Sequence, residues 1–234
     1  MLVPAETFEI KERHQHVAEG QIVSRPRVLL ADDHQMLMDA LKSVLEPRCE
    51  VVGAVGDGRA LLAAAVRLQP DVVVLDIGMP ELNGLEAARQ LRRSLPKVKL
   101  IFMTMNQDPY LVGEAFRAGA SAFLMKQAAA LELTDAIEKV LKGGSYVTPS
   151  AGPGLNEIAL LAPRSREHTP MPTPRQREVI QLLAEGCSMK EIGFKLKITP
   201  RTVAAHKYGV MRLLQLKTSA ELIQYAIKHR IISI

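Results

Sequence analysis

Asp71-Val72-Val73-Val74-Leu75-Asp76-Ile77-Gly78-Met79-Pro80-Glu81-Leu82-Asn83-Gly84 is the stretch on which the reading of the fold turns. Four apolar residues in a row, three of them β-branched, read as a strand buried on both faces, the pattern of a parallel sheet. The run ends in an aspartate and passes at once into Gly78, Pro80, Asn83 and Gly84. That places Asp76 at the carboxyl end of a central strand, where open α/β sheets bind ligands. Alone, an aspartate there serves equally well as a turn cap. Its companions elsewhere in the chain decide.

Upstream, Arg27-Val28-Leu29-Leu30-Ala31-Asp32-Asp33 is a second short apolar run ending in acid. The spacing of Met38, Leu41 and Leu45 then predicts a helix from His34 to Leu45, closed by Pro47. Val51–Val55 is a strand, and Gly56 and Gly58 lead into an alanine-rich helix over Arg59–Leu68. Beyond the opening stretch come a helix over Gly84–Leu95, a strand over Val98–Thr104 and a helix over Tyr110–Ala118. A short strand, Ser121–Lys126, and a helix, Ala128–Leu141, complete the series before Gly143-Gly144. Five alternations predict a doubly wound α/β domain with a five-stranded parallel sheet over 27–145. Residues 1–26 form an N-terminal extension, with a short helix around 6–18 and no assigned role.

Residues 146–171, rich in Pro, Gly and Ser, read as a linker, with at most a helical turn over 155–161. A small all-α domain follows over 172–234. Thr173-Pro174-Arg175-Gln176 gives an N-cap, a proline at the first helical position and a capping-box partner. Ser188 caps a second helix, Met189–Leu196, and Thr199-Pro200 opens a third over Pro200–Leu214, with Val203, Val210 and Leu213 on its buried side. A fourth runs over Ser219–Lys228. Short helices around a tight turn predict a helix-turn-helix.

The chain's 30 basic and 25 acidic residues give +5. Residues 27–145 carry 14 basic and 15 acidic side chains, whereas 172–234 carry 11 and 4. The basicity therefore belongs to the C-terminal domain and points to a polyanion. No run approaches 18 apolar residues, and the start lacks a secretory pattern. Cys49 and Cys187 are lone and far apart, which fits a reducing cytoplasm.

Asp32, Asp33 and Asp76 converge if their strands are neighbours. Three packed acids need a cation, and a hard divalent ion with oxygen ligands, Mg²⁺, answers that need. Two other strand ends supply Thr104, a hydroxyl, and Lys126, an ammonium. Such a set suits phosphoryl transfer onto a carboxylate. Each residue has an ordinary alternative (a cap, a strand-end threonine, a surface lysine), but their common position at strand ends speaks for a site.

On these residues the stretch 27–145 resembles the receiver domains of bacterial two-component response regulators, which are flavodoxin-like. The resemblance implies that Asp76 is the phosphoacceptor of a sensor histidine kinase. It also implies Mg²⁺ held by Asp33, its neighbour Asp32, Asp76 and the Gly78 carbonyl, with Thr104 and Phe123 as switch residues and Lys126 as the phosphoryl partner. Phe123 lacks a tyrosine's hydroxyl, and Gln127 stands where many receivers have proline.

In a helix-turn-helix the second helix enters the major groove. Arg201, Ala204, Ala205, Lys207, Tyr208 and Met211 are its candidate outer residues. Lys190, Lys195, Lys197, Arg201 and Lys207 are candidate phosphate contacts, with Thr199 and Thr202 adding hydroxyls at a helix N-terminus. The order Thr173-Pro174-Arg175-Gln176-Arg177-Glu178 … Lys190-Glu191-Ile192 … Thr199-Pro200-Arg201-Thr202-Val203 resembles the LuxR-type helix-turn-helix of the NarL/FixJ class. That resemblance implies double-stranded DNA as ligand, Glu178 as a brace of the fold, and a homodimer on DNA built through Ser219–Lys228. Ala204 and Met189 depart from residues common in the family, which bears on the target sequence.

The resulting expectation is a phosphorylation-controlled, cytoplasmic transcription regulator with RNA polymerase as a further partner, and not an enzyme. Two rivals remain. One is a phosphorylation-independent DNA-binding protein that uses its receiver to dimerise. The other is a flavodoxin-like enzyme, which the lack of a glycine-rich phosphate loop weakens.

Overall fold

A computed structural model describes residues 25–105, 108–149, 171–229 and 231–232. The segments 6–18 and 155–161, where helix was expected, lie outside the described residues.

Six strands run parallel: β1 (Arg27–Ala31), β2 (Glu50–Val55), β3 (Val72–Asp76), β4 (Lys99–Thr104), β5 (Ala122–Met125) and β6 (Tyr146–Val147), in the order β2-β1-β3-β4-β5-β6. Between them lie α1 (Gln35–Leu45), α2 (Gly58–Leu68), α3 (Gly84–Ser94), α4 (Pro109–Arg117) and α5 (Lys126–Leu141). Every residue of β3 is buried. Its alternation serves two cores at once. Val73 and Leu75 join residues of α2, α3 and α4, while Val72 and Val74 join Met38, Leu41 and Leu45 of α1 and Leu133, Ile137 and Val140 of α5. The uninterrupted apolar run is the sequence trace of a strand with helices on both faces.

Chain order reverses on either side of β1, whose neighbours are β2 and β3. The register pairs Ala31 with Leu75, Asp76 with Met103, and Thr104 with Met125. Asp32 and Asp76 therefore leave the carboxyl edge of the sheet level with each other, with Thr104 one residue further on and Lys126 one beyond that. Gly84, the first residue of α3, passes so close that a Cβ there would lie 2.0 Å from the Asp76 carbonyl oxygen. This close approach draws α3 onto the end of β3.

Two boundaries differ from expectation by more than one residue. The fifth helix starts at Lys126 itself, and the sheet continues past Ser145 into β6. The Thr148 amide donates to the Phe123 carbonyl at 3.0 Å, and the Met125 amide donates to the Thr148 hydroxyl at 3.1 Å. Two strand residues between Gly143-Gly144 and Pro149 are too few to show a periodicity, so the sequence reads there as linker.

The second unit consists of α6 (Pro174–Ala184), α7 (Met189–Leu196), α8 (Pro200–Leu213) and α9 (Ser219–Lys228). Thr173 and Ser188 each close a capping box, and the Thr199 hydroxyl accepts from the Thr202 amide at 3.2 Å. Val179, Leu182, Ile192, Leu196 and Val203 form one small core, and Ile180, Val210, Met211, Leu222 and Ala226 form another. Met211, expected on the outer face, is buried, while Leu213, expected inside, is 37% exposed. A turn of 3.6 residues carries the stripe from Val203 through Val210 and Met211 to Leu214, and Leu213 falls off it.

Candidate functional site

Asp32 and Asp76 are buried side by side at the ends of β1 and β3. The Lys126 ammonium lies between them, 2.7 Å from Asp32 Oδ2 and 3.2 Å from Asp76 Oδ2. Because Lys126 is the first residue of a helix that starts directly at the strand end, its side chain is held at the sheet edge. Burial raises the Asp76 carboxyl above its ordinary pKa; Lys126 opposes the rise and Asp32 adds to it. Asp33 stands at the mouth with a partly exposed side chain. A cavity of about 520 Å³ connects Asp33, Asp76, Gly78, Thr104 and Lys126. Thr104 is buried, and Phe123 is wholly inside the sheet's core.

The donor set fits Mg²⁺. Asp32, Asp33 and Asp76 bring three negative charges against the single ammonium of Lys126, which leaves a deficit that a divalent, oxygen-seeking cation balances. One neighbour was not foreseen. His34 Nδ1 lies 2.9 Å from an oxygen of Asp32 and 2.9 Å from one of Asp33, and the His34 amide donates to Asp32. Its position after the acid pair was the available signal.

On α7, α8 and the turn between them, Lys190, Lys197, Thr199, Arg201, Ala205 and Tyr208 are exposed, and Lys195, Thr202, Ala204 and Lys207 are half-buried. Lys207 donates to the Ser219 hydroxyl at 2.7 Å, and its ammonium also lies 5.6 Å from the Tyr208 ring centre.

Two family models match the chain: the response regulator receiver domain over residues 28–138, and the bacterial regulatory proteins of the luxR family over 173–226. The transcriptional regulatory protein MctR of Rhizobium johnstonii is 34% identical over 209 residues, covering 88% of this chain and 95% of the relative. LiaR of Bacillus subtilis, also a transcriptional regulatory protein, is 34% identical, covering 88% and 99%. The chain is a response regulator of the NarL/LuxR class. A Salmonella typhimurium RcsB structure, described as showing conformational dynamism for DNA interaction, aligns with TM-score 0.59 and 26% identity, over 86% of this chain and 96% of that one. A structure of two RcsB dimers bound to two parallel DNAs aligns at 0.52 and 25%, over 86% and 98%. A response regulator of this class is a DNA-binding transcription regulator of a two-component system, not an enzyme, and receiver domains bind Mg²⁺ at their acidic pocket. Among the described residues of this regulator, no helix is long and apolar enough to cross a membrane.

The response regulator's two units meet beside the acidic pocket. Gln181 of α6, fully buried, donates to the Met79 carbonyl at 3.0 Å and accepts from the Asn83 amide at 2.8 Å. It thereby grips the β3–α3 loop on either side of Glu81. The Glu185 carboxylate accepts from the Glu81 amide at 3.1 Å, and with Ile232 it lines the pocket that holds Asp76. Arg177 binds Glu86 of α3 at 2.8 Å. Glu178, implied as a brace within its own domain, binds Arg175 at 2.9 Å and also reaches Arg59 at 3.1 Å and Gln90 at 3.2 Å. Lys195, expected to contact DNA phosphate, is ion-paired with Glu81 of the receiver. Composition and periodicity carry no signal for such pairs, because each partner alone reads as a solvated surface residue.

Proposed function

We propose that the regulator takes a phosphoryl group onto Asp76 from a sensor histidine kinase and, with its domains parted, binds duplex DNA as a dimer in the cytoplasm. The observation that carries the reading is Lys126, set within ion-pair distance of both Asp32 and Asp76 at the carboxyl edge of the sheet.

An Asp76 carboxylate oxygen attacks the phosphorus of a phosphohistidine. A P–O bond forms, the P–N bond breaks, and the kinase imidazole leaves with the bond's electron pair. Asp33, Asp76 and the Gly78 carbonyl, with Asp32 adjacent, would hold Mg²⁺, which neutralises phosphoryl oxygens when bound. The Lys126 ammonium pairs with one phosphoryl oxygen and thereby exchanges part of its hold on Asp32. The Thr104 hydroxyl turns to another, and Phe123 follows it. The Gly78–Gly84 loop that Gln181 grips starts two residues beyond Asp76, so a change of charge there acts directly on the domain contact. Release frees Lys195 to join Lys190, Lys197, Thr199 and Thr202 on phosphates, while Arg201, Ala204, Ala205, Lys207 and Tyr208 present α8 to base edges.

Exposed Met36 on α1, Met105 after β4 and Leu131 on α5 give the receiver apolar footholds for a kinase. The second reading, DNA binding without phosphorylation, draws on the exposure of Arg201, Ala205 and Tyr208 with the domains docked.

The test is incubation with Mg²⁺ and acetyl phosphate, followed by mass measurement of wild type and Asp76→Asn. Wild type alone should gain one phosphoryl group. Equal labelling of both would remove Asp76 as acceptor.

A further inference from the structure

His34 borders the acidic pocket without a task in the phosphoryl chemistry. It lines the same cavity as Asp33, Asp76 and Gly78. It is also the N-cap of α1, yet its side chain makes no cap hydrogen bond. Serine, threonine, asparagine and aspartate cap helices well, and histidine is a poor substitute. The ring turns instead to the acids: Nδ1 stands 2.9 Å from Asp32 Oδ1 and 2.9 Å from Asp33 Oδ1. The His34 amide, donating to Asp32 at 2.9 Å, fixes the backbone from which the ring points.

Those separations match a shared ion. Adjacent ligands at about 2.1 Å from an octahedral metal stand about 3 Å apart. One donor atom from each of Asp32, Asp33 and His34 lies within 4.8 Å of the other two, a compact set of two carboxylates and one imidazole. The third donor bears on the identity of the ion. Mg²⁺ takes oxygen, whereas imidazole suits first-row transition metals, whose affinity for mixed nitrogen and oxygen sites rises along the series from Mn²⁺. With 66% of its side chain exposed, His34 meets an incoming ion at the mouth of the cavity. Octahedral coordination that includes His34, Asp33, Asp76 and the Gly78 carbonyl leaves positions free for a phosphoryl oxygen and water.

We propose that His34 is a metal ligand of this pocket and sets its ion preference, so that the regulator binds a first-row transition dication, Mn²⁺ among them, more tightly than Mg²⁺. The inference rests on the phosphoacceptor reading above, in which the neighbouring acids hold a divalent ion. Charging of Asp76 then follows the supply of transition metal as well as that of phosphodonor.

His34→Ser removes the imidazole and supplies a good N-cap, so α1 keeps its start; a thermal melt in chelator checks the fold. Full-length wild type and variant are titrated with MnCl₂. The free-ion signal in electron paramagnetic resonance gives the Mn²⁺ affinity, and displacement by MgCl₂ gives that of Mg²⁺. Electron spin-echo modulation of the bound Mn²⁺ reports a coordinated nitrogen. Removing even a residue that only orients a ligand costs about 10- to 100-fold in metal affinity. The ratio of Mn²⁺ to Mg²⁺ affinity should therefore fall at least tenfold in His34→Ser, through weaker Mn²⁺ binding, and the nitrogen modulation should disappear. A wild type that favours Mg²⁺ or shows no nitrogen modulation overturns the proposal. So does modulation that survives in His34→Ser, or a ratio that the substitution leaves unchanged. A wild type that binds neither ion removes the metal-assisted phosphoacceptor reading itself and this proposal with it, a failure visible before the variant is measured.

Discussion

Replacing Gln181 by alanine should open the domain interface without harming either domain. The side chain is fully buried and satisfies the Met79 carbonyl and the Asn83 amide at 3.0 and 2.8 Å. Each buried polar group left unpaired costs about 1–3 kcal/mol, and water entering the vacated space recovers part of that. The docked state should lose about 2–4 kcal/mol, and at 1.4 kcal/mol per decade this is a shift of roughly 30- to 1,000-fold toward separated domains. Alanine is a strong helix former, so α6 itself should hold. Small-angle scattering should show a larger radius of gyration, and calorimetry should split one cooperative transition into two. A scattering curve and melting profile identical to wild type would refute the reasoning, because Arg177–Glu86 and the other charged pairs would then suffice without Gln181.

Two more predictions concern the pocket. Burial raises the Asp76 carboxyl above its ordinary 3.8, so the folded chain holds that proton more tightly than the unfolded one. The stability linked to the proton is complete below about pH 3.8 and is lost as pH rises through the raised value. At neutral pH the ionised carboxylate is therefore a destabilising charge: in chelator, Asp76→Asn should melt above wild type, and Mg²⁺ should narrow the gap. A variant that melts lower in chelator contradicts this. Gly84→Ala would set a methyl group 2.0 Å from the Asp76 carbonyl; pushing the end of β3 aside should cost about 3 kcal/mol, read by urea unfolding, together with weaker Mg²⁺ binding. Unchanged stability would mean the helix start yields freely.

What could be read in the sequence follows from the range over which each signal acts. The Val72–Leu75 run and the stripes on α1, α2 and α5 are local patterns that the two cores enforce, and the strand-end acids, Thr104 and Lys126 sit where the strands stop. Capping at Thr173, Ser188 and Thr199 was legible because caps act within three residues. Met211 and Leu213 were exchanged because a two-residue step separates the faces of a helix, and a sparse stripe does not fix its phase. Gln181, Glu185 and the Lys195–Glu81 pair could not be seen. They are polar residues whose meaning comes from a surface about 100 positions away in the chain.

β6 bears on how the protein is divided for experiment. A receiver cut after Ser145 would lose Tyr146, Val147 and Thr148, and with them the partners of the Phe123 carbonyl and the Met125 amide. β5 would become a bare edge, and a bare edge pairs with whatever strand it meets. Self-association by such a fragment would report the cut rather than the protein. A receiver fragment extended to Pro149 keeps β5, the strand that carries Phe123, covered by the chain's own backbone.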